Sequence, residues 1–251
     1  MRGRYGSRVP TPRAVLPLAP QGRRQASSLR SVIEPISSRL PSTAPTLPAD
    51  SAHYLGTVLR AREGDSVRVF NAADGEFDAV VSKSKKGHVD VTIGECVRAP
   101  ENAAKLGLHL ALGLSRGDRM DYAIQKATEL GVARLVPLMT ERSVLRLHAD
   151  RALKRQAHWQ ALAHAACEQC GRNRPPTIEL PQSLGQFLAL DHGPAAKRLL
   201  SLAPSAMPSH PSPSHVTVLS GPEGGLSQAE EALALAAGFV PWQLGPRTLR
   251  A

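Results

Sequence analysis

The residue pattern with the most chemical content lies near the end of the chain, where a glutamate is set among glycines. Ser220-Gly221-Pro222-Glu223-Gly224-Gly225-Leu226 follows the apolar run Val216-Thr217-Val218-Leu219, and a second glycine turn, Gly245-Pro246-Arg247, follows Phe239 to Leu244. Glycines at such turns let a ligand approach the backbone and bond to main-chain groups. A carboxylate between them is not needed to make the turn. The spacing excludes the common phosphate-binding loop, because Leu226 stands where its lysine would have to be. A dinucleotide fingerprint belongs after the first strand of a domain, not this close to the end of a chain. Two ordinary strand-to-helix turns remain the plain alternative.

Cys167-x2-Cys170, with His164 three residues upstream, invites a metal or redox reading. Zinc wants four ligands, and no second cysteine pair or spaced histidine pair completes the set, so no metal is expected. Inside an apolar helix these cysteines read as small hydrophobic residues. Glu168, Gln169, Arg172, Asn173 and Arg174 form a polar cluster at the end of the same helix. A cation there suits the helix dipole, which by itself accounts for Arg172.

The elements that must position these residues follow from periodicity. Val216–Leu219 reads as a buried strand, and Ser227 with Glu230 forms a capping box over a helix at 229–237 that Gly238 ends. Upstream, a strand is predicted at 106–114. A helix capped by Asp118 and closed by Gly131 follows, then a strand at 133–138 and a long helix at 151–170 with Leu153, Trp159, Leu162, Ala163, Ala166 and Cys170 near its apolar stripe. Short strands are predicted at 178–180 and 197–202, and a Pro/Ser loop at 204–214. Strands alternating with helices argue an α/β unit with a parallel sheet covered on both faces. Before Pro100 the pattern differs. A short helix at 53–60 precedes strands at 66–70, 76–82 and 88–93, with a basic turn at 83–87, which argues a small β-barrel.

Composition sets the bounds. With 251 residues, 42% hydrophobic and 4% aromatic, the chain can bury one large or two modest aliphatic cores. No apolar run reaches the roughly 18 residues of a membrane span. Three cysteines do not make an extracellular disulfide scaffold, so a reducing, cytoplasmic compartment is expected. Of the net charge of +10, residues 1–33 hold +7 as Arg2, Arg4, Arg8, Arg13, Arg23, Arg24 and Arg30 with no acid. That segment, rich in Arg, Pro, Ser and Gly, reads as a disordered basic extension. The same composition suits an organelle transit peptide, which would place the protein in an organelle matrix, or an upstream start.

Leu219 to Ser227 together with Leu244-Gly245-Pro246-Arg247-Thr248-Leu249-Arg250 closely resembles the RsmE family of 16S rRNA uridine N3-methyltransferases. Gln125 to Gly131, Glu141-Arg142-Ser143 and Glu168 to Arg172 extend the resemblance over about Val32 to Ala251. It implies a disordered extension at 1–31, a PUA-like β-barrel RNA-binding domain at 32–99, and a SPOUT-type α/β methyltransferase domain with a C-terminal trefoil knot at 100–251. S-adenosylmethionine is the implied cofactor, held by Leu219, Ser220, Gly221, Pro222, Glu223, Gly224, Gly225, Leu244, Gly245, Pro246, Arg247 and Leu249. The implied partners are 16S rRNA in the small ribosomal subunit and a second copy of the chain, with no membrane involved. Glu223, Arg172 and Arg142 are the expected catalytic residues. The carboxylate suits a sulfonium, and the arginines suit substrate phosphate or uracil carbonyls. His53, Arg60, Arg62, Arg68, Lys83, Lys85, Lys86 and Arg172 are the expected RNA contacts; Arg60, Arg62, Arg68, Lys83, Lys85 and Lys86 would meet phosphates, which position RNA without reading its sequence. In the family the chain continues past the position of Ala251 into a Glu-Thr-Ala stretch and a last helix, so part of the cofactor wall and dimer contact is expected to be missing. The alternatives are another SPOUT reaction, such as ribose 2′-O-methylation, or a catalytically incomplete RNA-binding fragment.

Overall fold

A computed structural model describes residues 30–32, 46–85, 87–101, 107–145, 147–190, 195–201 and 214–245. The basic extension before residue 30, the Pro/Ser loop, Lys86 and the Pro246-Arg247 turn with Leu249 lie outside the described residues.

The first sheet has four strands in the order β1-β2-β3-β4: Arg30–Val32, Ser66–Asn71, Gly75–Lys85 and His88–Arg98. β2, β3 and β4 form an antiparallel meander, and β1 pairs in parallel with β2. Alternation puts Val67, Val69, Ala79, Val81, Val89 and Val91 into one core with Leu47 and Leu55. Two expectations are corrected here. Lys83 and Lys85 belong to β3, not to a turn, because the hairpin runs eleven residues on each side. The helix expected at 53–60 starts earlier, as α1 (Ala49–His53) after Pro48, and continues as a π-helical turn over Tyr54–Val58.

The second sheet is wholly parallel, in the order β11-β9-β10-β5-β6-β7, with a short β8 (Gln182–Ser183) also on β6. Its strands are β5 (Gly107–Gly113), β6 (Arg134–Met139), β7 (Thr177–Ile178), β9 (Ala196–Leu200), β10 (His215–Ser220) and β11 (Val240–Trp242). Helices α2 (Gly117–Glu129) and α3 (Ala149–Cys170) cover one face through Leu114, Met120, Ile124, Leu135, Trp159 and Ile178. Helices α4 (Leu184–Ala189) and α5 (Gln228–Ala236) cover the other through Leu138, Phe187, Leu199, Leu219, Ala234 and Phe239. Burial on both faces explains why these strands read as continuous apolar runs.

The capping box at Ser227 and Glu230 forms as expected. Asp118, by contrast, is not a cap: α2 begins one residue before it, with Arg116 at the N-cap position and no side-chain cap bond. On α3 the buried face comprises Ala152, Trp159, Ala163, Ala166 and Cys167, whereas Leu153 is exposed. Cys170, the last residue of α3, is exposed as well, so core packing accounts for Cys167 alone. Among the described residues, no helix is long and apolar enough to cross a membrane, and no group of three His, Cys, Asp or Glu side chains could hold a metal ion.

Candidate active site at the carboxyl ends of the parallel strands

In an open parallel sheet, ligands bind beyond the carboxyl ends of the strands where the order of connection reverses. Here β10 enters between β9 and β5, so that point lies beside the turn Ser220–Leu226. The turn is drawn tight by a Gly225 N–H bond to the Pro222 carbonyl at 2.8 Å. Two of its close approaches involve the protein's own backbone. A Cβ on Gly221 would stand 2.7 Å from the Gly225 carbonyl carbon, and one on Gly113, at the end of β5, would stand 2.5 Å from Pro222 Cδ. Gly225 (φ +70°) and Gly245 (φ +141°) are different: each has a left-handed backbone and open space where a side chain would be. Among the described residues, no atom would crowd a side chain at either position.

The segments that follow two strands, β5 and β6, send polar groups to this turn. From the first turn of α2, just past β5, Arg119 Nη1 donates to Glu223 Oε1 at 3.1 Å, and the buried Ser115 acts on the same carboxylate. Burial pushes the Glu223 carboxyl up, but its own backbone N–H, Ser115 and Arg119 together outweigh this and hold it below the ordinary carboxylate range. From the end of β6, Arg142 Nη1 donates to the Gly224 carbonyl at 2.8 Å, and the Glu141 N–H donates to Glu230 Oε1 at 2.8 Å. Glu230 Oε2 meanwhile accepts from the Ser227 N–H at 3.0 Å. The capping glutamate of α5 thus ties two strand ends together. Below the turn, Thr140 and Ser143 are buried and hydrogen-bonded to each other at 2.9 Å, which fixes the loop that carries Arg142.

The residue-level expectations divide accordingly. Leu219 is buried in the core under the turn, and Ser220 donates to the Gly221 carbonyl at 3.3 Å. Leu244 is exposed beside Gly245. Glu223 and Arg142 meet at one place, but Arg172 does not join them. Its guanidinium donates to the Thr128 carbonyl at 2.6 Å and to Glu101 at 3.2 Å, at the amino ends of the strands. The length of β6 separates it from Arg142, roughly 20 Å at strand rise. The sequence reading missed Ser115 and Arg119. They follow β5 as Arg142 follows β6, so the rule that ligand-facing residues sit just past strand carboxyl ends points to them.

Of the expected RNA contacts, His53, Arg60, Arg62, Lys83 and Lys85 are exposed on the first sheet's unit. Arg60 and Arg62 line an open cleft with Val58, Leu59 and Asp65. Arg60 is in the left-handed region (φ +54°), a conformation that costs a non-glycine residue about 1–2 kcal/mol. Arg68 is instead engaged by Asp78 at 3.2 Å and lies 3.9 Å from Glu76.

The family model described as an RNA methyltransferase domain matches residues 102–251, and that of an RNA methyltransferase PUA domain matches residues 47–94. A Synechocystis protein named ribosomal RNA small subunit methyltransferase E is 33% identical over 82% of this chain and 68% of its own length. The chain belongs to the ribosomal RNA small subunit methyltransferase E (RsmE) family. An RsmE protein of Bacillus subtilis is 29% identical over 82% of this chain and 85% of its own length. Two solved structures have the same fold. One is a Legionella pneumophila protein in complex with the bound cofactor SAM, at TM-score 0.79 and 34% identity over 89% of this chain and 91% of that one. The other is an RsmE protein of Neisseria gonorrhoeae bound to S-adenosyl methionine, at TM-score 0.75 and 30% identity over 88% and 91%. The β1–β4 sheet and the parallel sheet of this chain are the PUA-like and SPOUT methyltransferase parts of RsmE proteins.

Proposed function

We propose that the protein transfers a methyl group from S-adenosylmethionine to N3 of one uridine in small-subunit ribosomal RNA, in the cytoplasm and as a homodimer. The division runs at about residue 100, with residues 32–99 holding RNA and 100–251 holding cofactor and target base in a knotted chain. The observation that carries this reading is Glu223 on the β10 turn, bonded to Arg119 with Arg142 held on the neighbouring Gly224 carbonyl, beside the uncrowded glycines Gly225 and Gly245.

When bound, the cofactor supplies a methyl group already activated by its positive sulfur. The chain's own residues have simpler tasks. Main-chain groups of Gly221–Gly225 and Leu244–Gly245 hold the cofactor, and the Glu223 carboxylate favours a cation beside it. Arg142, with one N–H committed to the Gly224 carbonyl, directs the rest of its guanidinium to the uracil carbonyls. A cation there lowers the cost of losing the N3 proton, and alignment of the two partners supplies most of the acceleration. N3 takes part in base pairing within a helix, so the target uridine is unpaired or flipped out. Exposed Arg60, Arg62, Lys83 and Lys85 hold phosphates at a distance from the reacting base.

The test is to incubate unmethylated small ribosomal subunits with the protein and cofactor, digest the RNA, and identify the product by mass spectrometry. 3-Methyluridine is expected. A 2′-O-methyl nucleoside, or no product, would overturn the assignment.

A further inference from the structure

The residues around Arg172 form a junction between the two sheets. A chain of alternating charges runs across it. Arg68 of β2 lies 3.9 Å from Glu76 of β3, Glu76 lies 2.8 Å from Arg98 of β4, Arg98 lies 3.9 Å from Glu101, and Glu101 lies 3.2 Å from Arg172 after α3. Glu76 is almost wholly buried. The Arg98 guanidinium also reaches the Gly171 carbonyl across the junction.

Asn173 makes the junction specific. Its side chain is fully buried, and it accepts from the Glu101 N–H at 2.8 Å and donates to the Ala99 carbonyl at 2.9 Å. Its own N–H donates to Glu101 Oε1 at 3.1 Å. Beside these polar contacts, Phe70 of β2 and Cys167 of α3 form a small apolar cluster with no exposure to solvent. A linker that served only to connect would leave its backbone to water. This one exchanges hydrogen bonds with the 171–174 turn in both directions, and opening it would strand buried polar groups.

We propose that Glu101, Arg172 and Asn173 are positioning residues that lock the RNA-holding sheet at one angle to the methyltransferase sheet, and so fix where the target base arrives. The proposal rests on the function given above. Leverage gives it force. From the Glu76–Arg98 pair the β3–β4 hairpin runs nine residues to Lys85 and His88, about 30 Å at strand rise. Bonds from Gly64 to the Val81 carbonyl and from Ser84 to the Ala61 carbonyl hold the Arg60–Arg62 segment against this hairpin. A tilt of about 5° at the base moves such a tip by roughly 2–3 Å, enough to break phosphate contacts that need hydrogen-bond distances of about 3 Å.

If only the locked arrangement binds RNA productively, loosening the junction lowers apparent affinity in proportion to the locked fraction and leaves the bound complex unchanged. The test uses Asn173→Ala and the milder Glu101→Gln, which keeps the shape and removes the charge. Spin labels are placed at Ser82→Cys and Asp150→Cys in a Cys96→Ser, Cys170→Ser background, diluted into excess unlabelled protein so that only distances within one chain are read. Wild type is expected to give one narrow distance distribution and both variants a broader one. KM for small ribosomal subunits is expected to rise about tenfold or more, with kcat and cofactor affinity within about twofold of wild type. Distributions as narrow as wild type would overturn the proposal, as would broadened ones with unchanged KM or a loss confined to kcat. If wild type left subunits unmethylated, the functional reading would fail, while the distance distributions would still decide whether these residues lock the sheets.

Discussion

Replacing Gly113 with alanine tests how tightly the β5 end holds the turn that carries Glu223. The added Cβ would lie 2.5 Å from Pro222 Cδ and 2.8 Å from the Gly221 carbonyl carbon, where ordinary contacts are 3.4–4 Å. The turn must therefore retreat by about 1 Å, and overpacking of this kind costs about 1–3 kcal/mol. For a chain of this size that lowers the melting temperature by roughly 2–12 °C. The same retreat carries Glu223 away from Ser115 and Arg119, so kcat/KM is expected to fall by up to about 10²-fold. Thermal unfolding and methyl transfer to small subunits are measured side by side, with Gly185→Ala in α4 as the control. That position has no atom within 4 Å and an ordinary helical backbone, so alanine there should stabilise by up to about 1 kcal/mol and leave activity alone. A Gly113→Ala protein with wild-type stability and kcat/KM would refute the geometry.

Glu223→Gln should lower kcat/KM by about 10²-fold or more and cost about 1–2 kcal/mol at pH 7, discounted because the Arg119 partner is half exposed. The folded carboxyl is held below the ordinary glutamate value, so the stability it contributes is present above that value and lost as pH falls through the folded pKa. Denaturant unfolding across this range should show the two proteins converging in acid. Thr217 buries a hydroxyl that has no hydrogen-bond partner among the described residues, so Thr217→Val should stabilise by about 1–2 kcal/mol in urea unfolding. Glu230→Ala removes both the capping-box bond and the bond to the Glu141 N–H. Calorimetry should register a loss of about 1–3 kcal/mol, with weaker cofactor binding because two strand ends are untied.

Much of the parallel sheet was legible because its signals are local. Ser227 and Glu230 advertise a helix start within four residues, and the apolar run ending at Ser220 advertises a buried strand. The misses have physical causes too. Ser183 and Gln186 form as complete a capping box as Ser227 and Glu230, but the six-residue helix α4 is too short to show a period, and it was not predicted. Asp118 has the chemistry of a cap without the position, since Gly117 is already helical. Arg172 was the hardest case. Its type and its place in a family motif suggest substrate contact, while the partners of its guanidinium in this fold, Glu101 and Thr128, lie dozens of residues away in the chain and could not be read from its neighbours. Glu223 and Arg142 lie at one turn because each follows the carboxyl end of a strand by three residues, a location that sequence neighbours reveal even though they do not reveal which strands pair.

The place of β10 in the sheet has a consequence for how the molecule comes into being. Its neighbours are β5, more than a hundred residues earlier, and β9, and it pairs with both along most of its length. Until it arrives, the edges of β5 and β9 that will flank it have no partner, and a bare parallel edge is slow to fill and prone to pair wrongly. Helices α1 to α4 and the whole β1–β4 sheet precede β10 in the chain, so they can form while the centre of the second sheet stays open. The strand that closes the sheet is also the one that carries the glycine turn, so the candidate site cannot be complete before the sheet is.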